Sequence, residues 1–270
     1  MAQCLICSTT SPYISRELGV CLNCIREKPE SALPIATTAH AKSRALYGLP
    51  EVPPKADEGV SCSMCVNECK IPEDHAGYCG VRTNKGGEIV GVSADKGKLP
   101  FSLRASRLAL EENKGRILRI CWETNGSMHG SLLDQMMDVA LASGGCIKFD
   151  LKTWDENLHK ALTGVTNART LENFRRAGEK ISQRPSPPLL IASTLMVPGY
   201  IDEREIRNIA KFIASICPDI PYSLLAFHPH FYMSDMPFTS RALAYTCRNI
   251  AHEEGLRNVR IGNLHLLVQQ

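Results

Sequence analysis

Twelve cysteines in 270 residues are the part of this sequence richest in chemistry. Eight fall in the first 79 positions, at 4, 7, 21, 24, 62, 65, 69 and 79, and four are scattered, at 121, 146, 217 and 247. Cys4-x2-Cys7 and Cys21-x2-Cys24 are two knuckles joined by thirteen residues. That spacing lets four thiolates converge on one tetrahedral ion. A stretch this short cannot bury a core, so bound metal would supply its folding energy. Residues 1–26 are therefore expected to form a Cys4 zinc ribbon, with disulfide or redox pairs as the alternative. Cys62-x2-Cys65-x3-Cys69 and Cys79 form a second group, within residues 56–95. Zinc and an iron–sulfur cluster both accept four thiolates, and the spacing does not choose between them. Gly77 and Gly80 flank Cys79, which suits a tight turn around a ligand. His75 reads as a surface histidine, because four thiolates already suffice. The four scattered cysteines are expected to be core thiols.

The elements that must position these groups follow from periodicity and turn chemistry. Residues 27–55 carry Pro29, Pro34, Pro50, Pro53 and Pro54 and read as a linker with one short helix around Thr38 to Tyr47. Gly86-Gly87 is a turn before the strand-like Glu88 to Val92. From about residue 100 the pattern alternates. Helices are expected over Ser102–Asn113, Leu132–Ser143, Thr170–Ile181, Glu203–Ile216 and Ser240–Glu254. Strands are expected over Arg116–Trp122, Cys146–Leu151, Leu189–Val197, Tyr222–Phe227 and Val259–Ile261. Strands alternating with helices of this length mean βαβ units and a parallel sheet. There are about four strand–helix units in residues 100–270. A closed eight-fold barrel needs about 250 residues, so an α/β partial (βα) barrel is the expected fold, preceded by the two cysteine modules.

Composition narrows the partners. The formal net charge of +3 is too close to neutral to argue for nucleic acid or an anionic membrane. No apolar run approaches the ~18–20 residues of a membrane span. The start, Met-Ala-Gln-Cys-Leu-Ile-Cys, has neither a basic n-region nor an apolar h-region, and a cytoplasmic location is expected.

Polar residues recur where the expected strands end, the place where parallel α/β domains keep their sites. They are Glu123-Thr124-Asn125-Gly126, Asp150-Leu151-Lys152, the turn Val197-Pro198-Gly199-Tyr200-Ile201-Asp202, and Phe227-His228-Pro229-His230. Asp150 and Lys152 could form an ordinary pair at a strand end, and His228 could be a satisfied core histidine. In order and spacing, ETNG, DLK, VPGYID and LLAFHPH resemble the radical S-adenosylmethionine (SAM) activating enzymes, the relatives of pyruvate formate-lyase activating enzyme. His159 and Gly164 in LHKALTGVTNART fit the same pattern, and CSMCVNEC…GYCGVR resembles the cysteine module of one subgroup. The resemblance runs over roughly 60 to 92 and 100 to 265. It implies that Glu123 meets the amino group of SAM, that Lys152 approaches its carboxylate with Asp150 in the same pocket, that Asn125 lines that pocket, and that His228 closes it near the ribose. It also implies a protein substrate and a [4Fe–4S] cluster.

Two departures stand against that. Ser193 stands where activating enzymes tend to carry an arginine. The family's Cys-x3-Cys-x2-Cys cluster loop is absent: after Cys65-x3-Cys69, position 72 is Pro72, and Cys62-Cys65-Cys69 has its gaps in the reverse order. Only Ser93 to Asn113 stands where the loop and the first barrel strands belong. The chain therefore reads as an internally shortened member with impaired radical chemistry. A non-catalytic zinc-binding scaffold or adaptor is the alternative. A half-barrel whose strands carry Ile117, Ile120, Ile147, Phe149, Leu190, Leu195 and Leu224 on alternating sides would expose apolar surface. Either the 27–55 segment covers that surface or two chains pair as a homodimer.

Overall fold

The structure is a computed structural model that describes residues 1–91 and 101–269. Val92 and the expected boundary between residues 95 and 100 lie outside the described residues. The chain opens with β1 (Ala2–Gln3) paired antiparallel to β2 (Thr10–Ser11). Between them Ser8 takes a positive φ of 61° and donates its N–H to the Cys4 carbonyl at 2.9 Å, which closes the first knuckle. Cys21 occupies the N-cap of α1 (Leu22–Glu27), and Cys24 lies within that helix.

The segment expected as a linker is instead a 17-residue helix, α2 (Pro29–Ala45). Pro29 stands in its first turn, where a missing N–H costs nothing. Pro34 forgoes one ladder bond, yet buried Ala32 and Ala36 keep the helix packed there. Packing overrode the proline signal. The second cysteine module follows, as two short antiparallel pairs: β3 (Val60–Ser61) with β4 (Lys70–Ile71), and β5 (Arg82–Lys85) with β6 (Glu88–Gly91).

After α3 (Phe101–Glu112) the chain alternates: β7 (Trp122–Thr124), α4 (Gly130–Ser143), β8 (Ile147–Asp150), α5 (Glu156–Thr163), α6 (Ala168–Gly178), β9 (Leu190–Met196), α7 (Glu203–Ile216), β10 (Tyr222–Ala226), α8 (Arg241–Glu253) and β11 (Val259–Gly262). The five strands form one parallel sheet in sequential order, β7 to β11. Sequential order with right-handed crossovers puts every connecting helix on the same side. The structure agrees: Ile147, Phe149, Leu190, Ala192, Tyr222 and Leu224 are buried on that side. Phe149 meets Phe174 of α6 edge-on at 5.3 Å, and Phe174 packs on Phe212 of α7.

Sequence periodicity placed a strand over 116–122, but β7 starts only at Trp122. A strand needs a partner, and the Gly144-Gly145 turn admits β8 only from Ile147. β7 is also an edge strand, and Ile117 is left 92% exposed. The second face of the sheet is polar rather than apolar. It carries Glu123, Lys148, Asp150, Ser193, Ser223 and Arg260, with Ile191, Leu195 and Leu225 among them. Of the apolar strand residues expected to alternate between the two sides, Ile147, Phe149, Leu190 and Leu224 all lie under the helices, and Leu195 lies on the polar face. α2 packs on α1 and α5, and beyond its end Tyr47 stacks on Phe231 after β10 at 5.9 Å.

Candidate functional site

The first cysteine module is closed around its sulfurs. The Sγ atoms of Cys4, Cys7, Cys21 and Cys24 all lie within 4.8 Å of one another, the group among the described residues that converges in this way. Cys4 and Cys24 are buried with Ile14, and Cys7 Sγ lies 3.7 Å from Cys21 Sγ. Burial alone would raise the Cys4 thiol, but the backbone N–H groups of Cys7, Ile6 and Cys21 outweigh it and leave it lowered. The Thr9 hydroxyl and amide hold Cys7 down at about 6. Burial, then the neighbouring sulfurs, pushes Cys24 upward. Four contacting sulfurs cannot all ionise without a cation among them, and backbone N–H groups aimed at sulfur suit metal-bound thiolates. The donor set therefore fits a tetrahedral soft or borderline ion.

The second module is looser. Cys62, Cys65, Cys69 and Cys79 line one cavity of about 190 Å³ together with Met64, Asn67, Ile71, Gly77 and Arg82. The Tyr78 N–H points at Cys69 Sγ at 3.4 Å, and burial followed by the other three sulfurs raises the Cys69 thiol. Cys69 is buried and Cys79 exposed. His75 bonds the Glu73 carbonyl at 2.6 Å. The module is stitched to the loop after β7: Val66 N–H donates to Ser127 O and His129 N–H to Met64 O, each at 2.9 Å. That loop turns at Gly126, where φ is +73° and a Cβ would stand 2.7 Å from the Phe149 ring.

Of the residues assigned to a SAM pocket, Glu123 and Asp150 fall on the polar face, in rows set by strand register. Glu123 stands beside Lys148 and then Ile191; one step along, Asp150 stands beside Ser193, Ser223 and Arg260. Glu123 is 77% exposed and forms an ion pair with Lys148 at 3.1 Å. Asp150 Oδ2 pairs with Lys152, while Asp150 Oδ1 is buried without a hydrogen-bond partner. Asn125 does not point a free amide into the face: its Oδ1 accepts from Ser127 N–H and Oγ–H, which folds its own loop. His228 is exposed against the edge of Phe238, at 5.3 Å between ring centroids, and is no core histidine. His159 is buried, with Nδ1 2.7 Å from Val165 O, and closes the turn after α5. Lys148, Ser223 and Arg260 went unread in the sequence; strict alternation within CIKFDL and YSLLA was the available signal.

A buried clamp ties the first module to this end of the sheet. Arg26 of α1 donates to Asp202 at 2.6 and 2.9 Å and to Glu205 at 2.8 Å, with its side chain only 9% exposed. The second Glu205 oxygen accepts the N–H groups of Trp154 and Asp155, at 2.6 and 3.1 Å, which fixes the loop after Lys152. The Tyr200 hydroxyl donates to Val20 O at 2.9 Å and accepts Ser15 N–H at 3.1 Å. Gly199, at φ +80°, passes so close that a Cβ would sit 2.3 Å from Tyr13 O. Among the described residues no helix is long and apolar enough to cross a membrane.

No family model matches the chain. It is 29% identical over 167 residues to the isethionate sulfite-lyase activating enzyme of Desulfovibrio desulfuricans, covering 59% of this chain and 49% of that one. With its counterpart in Oleidesulfovibrio alaskensis the identity is 33% over 140 residues, covering 51% and 42%. A Methanocaldococcus jannaschii protein named as a glycyl-radical enzyme activating enzyme is 30% identical over 101 residues, or 37% of each chain. The chain spans about half the length of these curated relatives or less. A solved domain of pyruvate-formate lyase-activating enzyme from Bacteroides vulgatus aligns with a TM-score of 0.48 and 22% identity, over 61% of this chain and 95% of that one. By sequence, the homologues of this chain are radical SAM activating enzymes.

Proposed function

We propose that this chain is an internally shortened, cytoplasmic member of the radical SAM activating lineage. It holds zinc in residues 1–26 and zinc or an iron–sulfur cluster in residues 56–95, and it carries a partial barrel in residues 100–270 that does not reduce SAM by itself. The observation that carries this reading is that no three of its twelve cysteines have the Cys-x3-Cys-x2-Cys spacing. The radical SAM cluster thus has no matching ligand set, and no step is derived through it. The polar face supports the reading. Glu123 and Asp150, which the resemblance directs at SAM, are already paired with Lys148 and Lys152. Ser193 puts a small hydroxyl at the centre of the row where the family tends to carry an arginine.

The function that remains is to bind metal and to present this face to a protein partner, as activating enzymes act on protein substrates. A second copy pairing along the edge strand β7 is one form of that partner. A second reading, with a cluster in the 56–95 module, is favoured by its four-cysteine cavity lying against the loop after β7. The test is anaerobic metal and sulfide analysis with SAM calorimetry. SAM affinity weaker than about 1 mM (about −4 kcal/mol) is expected, whether the second module holds zinc or, with acid-labile sulfide, a cluster. Acid-labile sulfide with micromolar binding, about −8 kcal/mol, would overturn the proposal in favour of the second reading.

A further inference from the structure

The scattered cysteines do not behave alike. Cys247 is buried, with its thiol pushed up to about 12 by desolvation. Cys217 and Cys146 are half-buried, and Cys121 is exposed. The last two are neighbours. The register Trp122↔Ile147 sets Cys121 and Cys146 at one level of adjacent strands, and Trp122 N–H donates to the Cys146 carbonyl at 2.8 Å. Trp122 and Ile147 point toward the helices, so the residues just before them point to the polar face. The two side chains therefore lie side by side on that face, one step below Glu123 and Lys148. Backbones of adjacent strands lie roughly 4.8 Å apart, inside the Cα separations of about 4.4–6.8 Å that a disulfide spans. No other of the twelve cysteines forms a disulfide or a metal cluster with either of them.

We propose that Cys121 and Cys146 are a reversible dithiol–disulfide pair, a redox modification site on the polar face that reacts with small disulfides of the glutathione class. Cys121 is the accessible sulfur. It loses its proton and attacks one sulfur of the small disulfide, whose S–S bond breaks and releases one thiolate. Cys146, held against it, then loses its proton and attacks the Cys121 sulfur, releasing the second small thiol. One S–S bond forms and one breaks; two protein thiols are oxidised, and the small disulfide is reduced to two thiols. Burial and the Cys121 sulfur hold the Cys146 thiol up at about 11, which keeps it protonated until the mixed disulfide forms beside it. The product ties the edge strand β7 to β8 beneath the Glu123–Lys148 pair.

The test uses the full zinc-loaded chain with graded glutathione disulfide, alkylation of the remaining thiols, and peptide mapping without reduction. A peptide linking 121 to 146 is expected, with loss of two of the four thiols outside the modules. Cys146→Ser should instead accumulate glutathione on Cys121, and Cys121→Ser should leave Cys146 fully alkylatable. Wild-type chain that keeps both thiols free, that stops at a glutathione adduct on Cys121, or that links either cysteine to a module cysteine would overturn the proposal. The wild-type map decides this even if a variant fails to fold.

Discussion

The two cysteine modules carry the same number of thiols yet are held in opposite ways. The first closes its four sulfurs to within 4.8 Å and is anchored by a nearly buried guanidinium between two carboxylates. The second spreads its sulfurs around a cavity and is anchored by backbone hydrogen bonds and by the more exposed Arg169–Glu68 pair at 2.6 Å. The first module is thus built into the C-terminal end of the parallel strands, whereas the second rests on one loop beyond it.

The largest effect that could break this contrast comes from the ligands. Cys21→Ser should release the zinc proposed for the first module, unfold residues 1–26 and raise amide exchange at Trp154 and Asp155, whose N–H groups Glu205 accepts while it pairs with Arg26. The equivalent Cys79→Ser should leave those two amides protected. Equal exchange in the two variants would remove the distinction. The anchors come next. Arg26→Met leaves Glu205 buried and uncompensated and should cost about 3–5 kcal/mol in denaturant unfolding. Arg169→Ala should cost under about 1 kcal/mol. The smallest effect is in acid. Burial would raise the Asp202 carboxyl, but Arg26 and the Glu205 N–H outweigh it and hold it below its usual value of 3.8. A carboxylate lowered in the folded state stabilises above its unfolded pKa and loses that contribution as pH falls through the folded one. Stability should therefore decline below pH 3.8 less steeply in Asp202→Asn than in wild type. Parallel curves would show that the clamp is not ionic.

What the sequence made legible depended on how local each determinant was. Cys-x2-Cys spacing is local, and so is α7, whose span Glu203–Ile216 follows from its Asp202 cap and apolar periodicity. The polar strand ends were also readable, since each lies beside its own strand. The Arg26–Glu205 contact spans 179 residues and leaves no periodic trace. The strand expected over 116–122 failed because pairing, not propensity, decides where an edge strand begins. The cysteines at 121 and 146 were misread as core for a related reason. Burial follows strand register, and register is invisible until both strands are placed.

The bare Cα at Gly199 has a consequence for how this molecule could come apart. With Tyr13 O only 2.3 Å from where a side chain would begin, any residue there acts as a wedge between the first module and the VPGYID turn. All four cysteines of the module would remain chemically intact while the module was levered off the sheet. One methyl group would thus uncouple metal binding from the shape of the polar face, two properties that no cysteine substitution can separate.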